Sequence, residues 1–305
     1  QDQVRSVIRN HKPDLLWFMT DPRFFTWLWA IDNEIRTHIP MVYHHVWDNF
    51  PAPMFNKPYY ESNDKIVCIS KVTHEIVKTV APNVDSVYLP HAVNGEWFKP
   101  LGTDVRKKIR KESMNIDNDK FVFFWNNRNA RRKQSGSVIF WFKQFLDRVG
   151  HDNASLLMHT DPFDGHGQNL IHIMEHLGLD QGQVFFSTAK MPFDKLAEVY
   201  NAVDCTINIS DAEGFGLATL ESLSCGVPIV VNMTGGLQEQ VTDGENWFGI
   251  GIEPSSKAVI GSQDVPYIYE DRINNDDFVD ALVKIYETTP EERTQLGAAG
   301  REHVL

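Results

Sequence analysis

The sequence predicts an α/β protein built from two doubly wound parallel sheets, each flanked by helices. Three observations lead there. Short apolar runs alternate with amphipathic stretches, the pattern of buried parallel strands joined by crossover helices. The 305 residues, 35.0 kDa, amount to about two domains at ~150 residues each. An aperiodic stretch at 94–102, with two glycines and a proline, separates two such alternations, so the domains are set at 1–97 and 98–305.

Taken in order, 14–20 (DLLWFMT), 41–46 (MVYHHV), 65–70 (KIVCIS) and 86–89 read as strands of the first domain, with a helix over 71–80. The second half restarts with strands at 121–125 (FVFFW), 154–159 (ASLLMH), 184–187 (VFFS), 205–209 (CTINI) and 228–231 (PIVV). Helices are expected at 138–148, 169–177, 193–201 and 217–224. Five strands with right-handed crossovers make one Rossmann-like sheet. The acidic run 274–277 reads as a helix start.

Charge and composition narrow the function. Twenty-nine Lys and Arg stand against 41 Asp and Glu, a formal charge of −12. Such a chain is a poor binder of nucleic acid or anionic lipid over its whole surface, so a bound phosphate must meet a local cluster of cations. No apolar run approaches the ~18–20 residues of a membrane span, while peripheral membrane contact stays compatible with the composition. Three widely spaced cysteines, Cys68, Cys205 and Cys225, make neither a disulfide framework nor a CxxC metal site. A cytoplasmic location is expected; Gln1 in place of Met leaves room for a processed or trimmed start.

Several motifs carry less than they promise. His172, Glu175 and His176 match a zinc-hydrolase pattern, but Leu170, Ile171, Met174 and Leu177 form the apolar stripe of that helix and leave the three toward water. Asp117 and Asp119 form a DxD, yet they precede a strand, where a turn is expected. The sequons at Asn153, Asn208 and Asn232 lie in or beside expected buried strands, and no GxSxG elbow occurs. No metal site is expected.

The informative segment is 205–226, CTINISDAEGFGLATLESLSCG. A strand runs into a Glu213-Gly214-Phe215-Gly216 turn, and a helix opens near Leu217. Glycines there admit close backbone approach, and the N–H groups of Phe215, Gly216, Leu217 and Ala218 at a helix N-terminus form an anion site. Glu213 at its mouth repels phosphate unless it points elsewhere. Glu221 borders the apolar stripe Leu217, Leu220, Leu223 and is expected to be part-buried, which costs several kcal/mol, roughly, without a partner. Both acids fit hydrogen bonds from the hydroxyls of a sugar and a ribose flanking a diphosphate; a cap for Glu213 and an internal salt bridge for Glu221 are the alternatives. Arg128, Arg131, Arg132 and Lys133 follow the first strand of the same domain. Ligands of doubly wound sheets sit at strand carboxyl ends, so that loop and the Glu213 loop can face one cleft.

Taken together, Glu213-x7-Glu221, the Arg128…Lys133 pair, the PHAVNGEWFKP connection and Thr234-Gly235-Gly236-Leu237 after PIVV resemble the retaining glycosyltransferases of family four, which have the GT-B fold. The resemblance spans about residues 65–251. It implies transfer of a sugar from a nucleotide diphosphate sugar, the donor substrate, with no cofactor, to a glycan or lipid-linked glycan. By resemblance Arg128 and Lys133 hold the diphosphate, Glu213 the donor-sugar hydroxyls, and Glu221 the ribose. The backbone from Phe215 through Gly216 and Leu217 to Ala218 cradles the phosphates, and the loop with Lys190 and Met191 seats the base. A histidine closing an N-domain strand approaches the donor sugar in that family. His44 and His45 both qualify, and they point to opposite faces.

The match departs from the family at both ends and at Asn94, where Asp is usual. The family's initial strand and glycine-rich acceptor loop are not in this sequence, and Leu305 precedes the helix that crosses back to the first domain. A fragment is therefore expected, with donor binding retained and transfer impaired. A GT-B sugar-nucleotide epimerase and a non-catalytic sugar-nucleotide binder are the rival readings. A Rossmann dehydrogenase fits Gly214 and Gly216 but not Thr219, which occupies the place of a third glycine.

Overall fold

A computed structural model describes residues Gln1–Leu305 and divides them into two compact units. The first comprises Gln1–His91, Glu213–Phe215 and Lys257–Glu270; the second comprises Ala92–Ala212, Gly216–Ser256 and Asp271–Leu305.

The first unit holds a four-stranded parallel sheet, β1 (Leu16–Thr20), β2 (Met41–His45), β3 (Lys65–Cys68) and β4 (Ser86–Tyr88), in sequential order. Its helices are α1 (Asp2–His11), α2 (Pro22–Trp29), α3 (Asp32–Arg36), α4 (Lys57–Glu61) and α5 (Lys71–Val80). Of these only α5 is expected from the sequence; the others are short or lack a clear apolar period. Strand β2 alternates buried and half-buried, so Met41, Tyr43 and His45 enter the core while Val42 and His44 take the other face.

The second unit holds a six-stranded parallel sheet of β5 (Phe121–Asn126), β6 (Ala154–His159), β7 (Val184–Ser187), β8 (Cys205–Asn208), β9 (Ile229–Asn232) and β10 (Gly249–Ile252). Its helices are α6 (Thr103–Ile109), α7 (Ser135–Val149), α8 (Leu170–His176), α9 (Phe193–Ala202), α10 (Leu217–Ser224) and α11 (Gln238–Val241). The sixth strand is an addition to the five expected. Its GIGI sequence carries no strand signal, but a Cβ on Gly249 would lie 1.9 Å from the Ile229 carbonyl oxygen, so only glycine fits there.

The order is β10-β9-β8-β5-β6-β7. The chain therefore reverses direction across the sheet between β5 and β8. In such sheets the loops leaving the two strands at the reversal diverge and open a crevice. Phe121, Phe123, Trp125, Phe142, Phe145 and Phe278 pack the core beneath it.

Strands β11 (Ser256–Ile260) and β12 (Ile268–Arg272) pair as a hairpin whose Val265 and Ile268 join the core of the first unit. Helices α12 (Asn275–Tyr286) and α13 (Pro290–Val304) complete the second unit. Asn274 caps α12 as expected, its Oδ1 accepting the Asp277 N–H at 2.8 Å. No helix is long and apolar enough to cross a membrane.

Candidate active site

In the second unit, the loops after β5 and β8 meet. The Asp211 N–H donates to the Arg132 carbonyl at 2.8 Å, and Gln134 Nε2 donates to Asp211 Oδ2 at 2.7 Å. Arg132 Nη1 donates in turn to the Ala212 carbonyl. Asp211, buried, also lies 3.9 Å from Arg131 and 3.8 Å from Arg272. This carboxylate was not among the sequence candidates, although it stands inside the segment 205–226. It anchors the cationic loop against the end of β8. Lys133 is buried within that loop and only 8% exposed, so its ammonium is no solvated surface charge.

Arg128 occupies the outer part of the loop. Its Nε donates to Asp164 Oδ2 at 2.6 Å, and its Nη2 lies 3.2 Å from Asp164 Oδ1 and 2.7 Å from His166 Nδ1. The guanidinium and the His166 backbone N–H hold the Asp164 carboxyl well below the usual carboxylate range.

Helix α10 starts without a side-chain cap, and Gly216 at its N-cap has φ 98°. That left-handed conformation favours glycine, and a Cβ there would also strike Leu237 at 2.7 Å. The Gly216 carbonyl is occupied: Thr219 Oγ1 donates to it at 2.8 Å and Gln240 Nε2 at 3.1 Å. The turn is thus fixed from both sides while the N–H groups of Leu217 and Ala218 lack intrahelical acceptors. One turn on, Glu221 is half-buried and accepts a hydrogen bond from the Tyr200 hydroxyl at 2.8 Å. Burial raises its carboxyl above the ordinary 4.5, and the Tyr200 bond opposes the rise. Its partner is therefore a tyrosine, not the salt bridge weighed from sequence. Tyr200 in turn accepts from Asn126 Nδ2, at the end of β5, at 2.9 Å.

Lys190 and Met191 follow β7, two strands from β5 and hence about 10 Å across the sheet. They line a cavity of about 620 Å³ with Ile109, Met114, Leu157 and Phe185.

The remaining candidates belong to the first unit. The two histidines of β2 have different surroundings. His45 is fully buried; its Nδ1 accepts the Trp47 N–H at 2.9 Å, so in the neutral ring Nε2 carries the proton and faces the Tyr60 hydroxyl at 2.5 Å. Burial, and to a smaller degree His44, lowers its pKa to about 3. It is a core residue. His44, on the opposite face, lies between the Trp17 ring at 5.6 Å and the His91 ring at 5.5 Å. The His91 ring meets Phe215 edge-on at 5.2 Å. The Glu213–Phe215 turn is held close to the backbone, since a Cβ on Gly214 would lie 3.1 Å from the Val46 carbonyl. His44, His91 and this turn are therefore neighbours, and His91 is a member that the sequence reading did not single out.

Elsewhere, His172 and His176 stack at 6.1 Å on the exposed side of α8. Asp117 begins a turn, its carbonyl accepting from Lys120 N at 3.2 Å. Asn94 uses its side-chain oxygen to accept from the N–H of Glu96 at 3.0 Å, an oxygen that Asp also has.

Comparison with known proteins agrees with this architecture. The chain is 24% identical over 239 residues to the N-acetyl-alpha-D-glucosaminyl L-malate synthase of Bacillus anthracis, covering 76% of this chain and 58% of that protein. It superposes on sucrose-phosphate synthase from Thermosynechococcus elongatus with TM-score 0.76 at 18% identity, over 99% of this chain and 71% of the other. It superposes on Anabaena HepE in complex with UDP and glucose with TM-score 0.73 at 15% identity, over 98% of this chain and 75% of the other. The chain spans less than two thirds of the length of the first curated relatives it matches. These likenesses establish the fold class expected from the sequence, α/β with two Rossmann-like sheets of the GT-B type. The family model of the glycosyl transferases group 1 matches residues 105–303, and the chain belongs to that family.

Proposed function

We propose that this chain binds a nucleotide diphosphate sugar at the carboxyl ends of β5 and β8 and transfers the sugar, with retention and without a metal, to a glycan or lipid-linked glycan. The observation that carries the reading is the hydrogen-bonded junction of the Arg128–Lys133 loop with Asp211 and Ala212 beside the uncapped start of α10. Cations and the N–H groups of Leu217 and Ala218 at a helix N-terminus suit a diphosphate. The UDP and UDP-glucose complexes of HepE, a protein of like fold, support a nucleotide sugar as ligand.

In this reading Lys133, Arg128 and the amides from Phe215 to Ala218 hold the diphosphate. Glu221 accepts from the ribose, Lys190 and Met191 border the base, and Glu213 accepts from donor-sugar hydroxyls. His44 is assigned to the donor sugar, and His45 supports the strand that carries it. The bond between the anomeric carbon and the diphosphate oxygen breaks. The acceptor oxygen bonds to that carbon on the same face and gives its proton to the leaving diphosphate. Electrostatic stabilisation of the leaving group is the main catalytic contribution, and the side-chain cations and helix N-terminus take the place of a divalent metal.

Thermal-shift screening of UDP, GDP, ADP and their sugars identifies the donor. NMR of the product from a ¹³C-labelled donor, in a metal-chelated buffer, then reads the chemistry. A released or transferred sugar with the donor's anomeric configuration supports the proposal. An epimerised nucleotide sugar, an inverted product, or binding with no turnover by the full-length protein overturns it. Lys133→Ala is expected to weaken nucleotide diphosphate binding, and Glu213→Gln to lower turnover strongly; unaltered kinetics in both refute the assignment.

A further inference from the structure

At the opposite end of the second unit's sheet lies a second concentration of positive charge. Asn118 precedes β5, Asp204 precedes β8 and Pro228 precedes β9, so the cavity they line, about 350 Å³, opens at the amino ends of the strands. The candidate donor site is at the carboxyl ends, about 15–20 Å away along strands of four to six residues. One molecule the size of a sugar phosphate cannot touch both.

The charges there do not balance. Arg106, Lys107 and Arg293 line the cavity, and Arg110 lies buried behind them. Asp204 is the one carboxylate in the lining, and it is already shared. Its Oδ1 accepts from Arg106 Nη2 at 2.5 Å, its Oδ2 from Arg110 Nη2 at 2.5 Å and from the Val122 N–H at 2.8 Å, and Arg293 Nε lies 3.9 Å away. Arg110 is spent on structure, since its other nitrogens donate to the carbonyls of Ala202, Asn118 and Lys120. The guanidinium of Arg293 also donates to the Thr288 carbonyl. Closely spaced cations facing one shared carboxylate repel one another, and an anion in the cavity removes that cost. Lys107, exposed, and Asn118 at the wall supply donors that no part of the Asp204 clip requires, whereas the Thr294 hydroxyl is spent on the Pro290 carbonyl at 2.8 Å.

We propose that this cavity is a second anion site, for a small phosphate compound, separate from the donor site and formed by Arg106, Lys107, Arg293 and Asn118. In a chain of net charge −12 it is a local trap, set by geometry and not by overall charge. The Asp204 clip holds Arg106 in place, leaving its remaining donors and the mobile ammonium of Lys107 to take phosphate oxygens.

The test is calorimetric titration with inorganic pyrophosphate in the presence of saturating UDP, which fills the donor site if that site exists. Wild type is expected to bind pyrophosphate under UDP. Lys107→Ala, which leaves the clip intact and should melt as wild type does, weakens it by about tenfold, the order of one charge-assisted hydrogen bond. Lys133→Ala leaves this affinity unchanged. Absence of pyrophosphate binding by wild type, loss of it on adding UDP, or an unchanged affinity in Lys107→Ala overturns the proposal. Should UDP itself fail to bind, the donor-site reading falls while the pyrophosphate titration still decides this one.

Discussion

The Tyr200 hydroxyl donates to Glu221 Oε2 at 2.8 Å while accepting from Asn126 Nδ2 at 2.9 Å, so a buried tyrosine ties the end of β5 to α10. The relay fixes one lobe of the Glu221 carboxylate, and in the proposed reading the other oxygen accepts from a ligand hydroxyl. Tyr200→Phe removes both bonds, leaving Asn126 and Glu221 half-buried with one fewer partner each. Stability is expected to fall by about 1–2 kcal/mol. Affinity for the nucleoside diphosphate should fall several-fold, and the loss should be smaller for its 2′,3′-dideoxy analogue. Titration of both ligands checks this, and equal losses would remove the ribose role from Glu221.

Glu221 itself links pH to stability. Its folded pKa is raised above the ordinary 4.5, first by burial. The folded chain therefore holds a proton more readily than the unfolded one, and stability falls as pH rises from 4.5 through the raised value. Above that window the burial penalty is fully present; below 4.5 it is absent. Glu221→Gln, which never ionises, is expected to melt higher than wild type at pH 7 and to lose that advantage below pH 4.5, while binding nucleotide more weakly. A gain in stability with a loss of binding marks a residue held for function. A variant that melts lower than wild type at pH 7 would falsify the assignment.

The two histidines of β2 separate in the opposite sense. His45 has a pKa lowered to about 3 in the fold, so only the unfolded chain takes up its proton between pH 6.5 and about 3. Its contribution is complete above 6.5 and is lost as pH falls through that window. His45→Gln is expected to cost about 1–3 kcal/mol at pH 7 and to flatten the acid limb of a urea-unfolding series by about one proton. His44→Ala, on the other face, should leave the melting curve near wild type and lower turnover more than tenfold, roughly. If His44→Ala instead unfolds the chain and His45→Gln does not, the two roles are reversed.

Much of this fold is legible in the sequence because the strands of a parallel sheet are buried on both faces. ASLLMH and VFFS have the bounds read from sequence, and so does the helix LATLESLS. Where apolar character is thin, reading fails. GIGI is a strand because Gly249 fits against Ile229, and the β11–β12 hairpin is held by two inward side chains, Val265 and Ile268. Periodicity could not find either. For the candidate site, residue type and spacing picked out Glu221 and the cationic loop. Their partners are set by long-range packing: Tyr200 is 74 positions from Asn126, and Asp211 is 77 from Gln134. His91 and Asp164 likewise carry no local signature and emerge only when loops distant in sequence meet.

Arg128 offers the remaining prediction, because its guanidinium is already engaged. Asp164 takes two of its N–H groups, at 2.6 and 3.2 Å, while the Arg128 side chain stays 60% exposed. Although the Asp164 side chain is only 15% exposed, the guanidinium end of the pair is at the surface, so Arg128 can exchange to a stronger partner. A diphosphate carries more charge than a carboxylate and accepts the same fork. In the proposed reading, where Arg128 holds the diphosphate, Asp164 is the competitor that the ligand displaces. Asp164→Asn keeps the side chain's shape, removes the negative charge and is expected to tighten nucleoside diphosphate binding several-fold with little change in melting temperature. Because the competition is electrostatic and solvent-exposed, the difference between variant and wild type should shrink as ionic strength rises. Titrations at low and high salt read both effects. Weaker binding by Asp164→Asn at every salt concentration would mean that the carboxylate orients Arg128 for its ligand and does not compete with it.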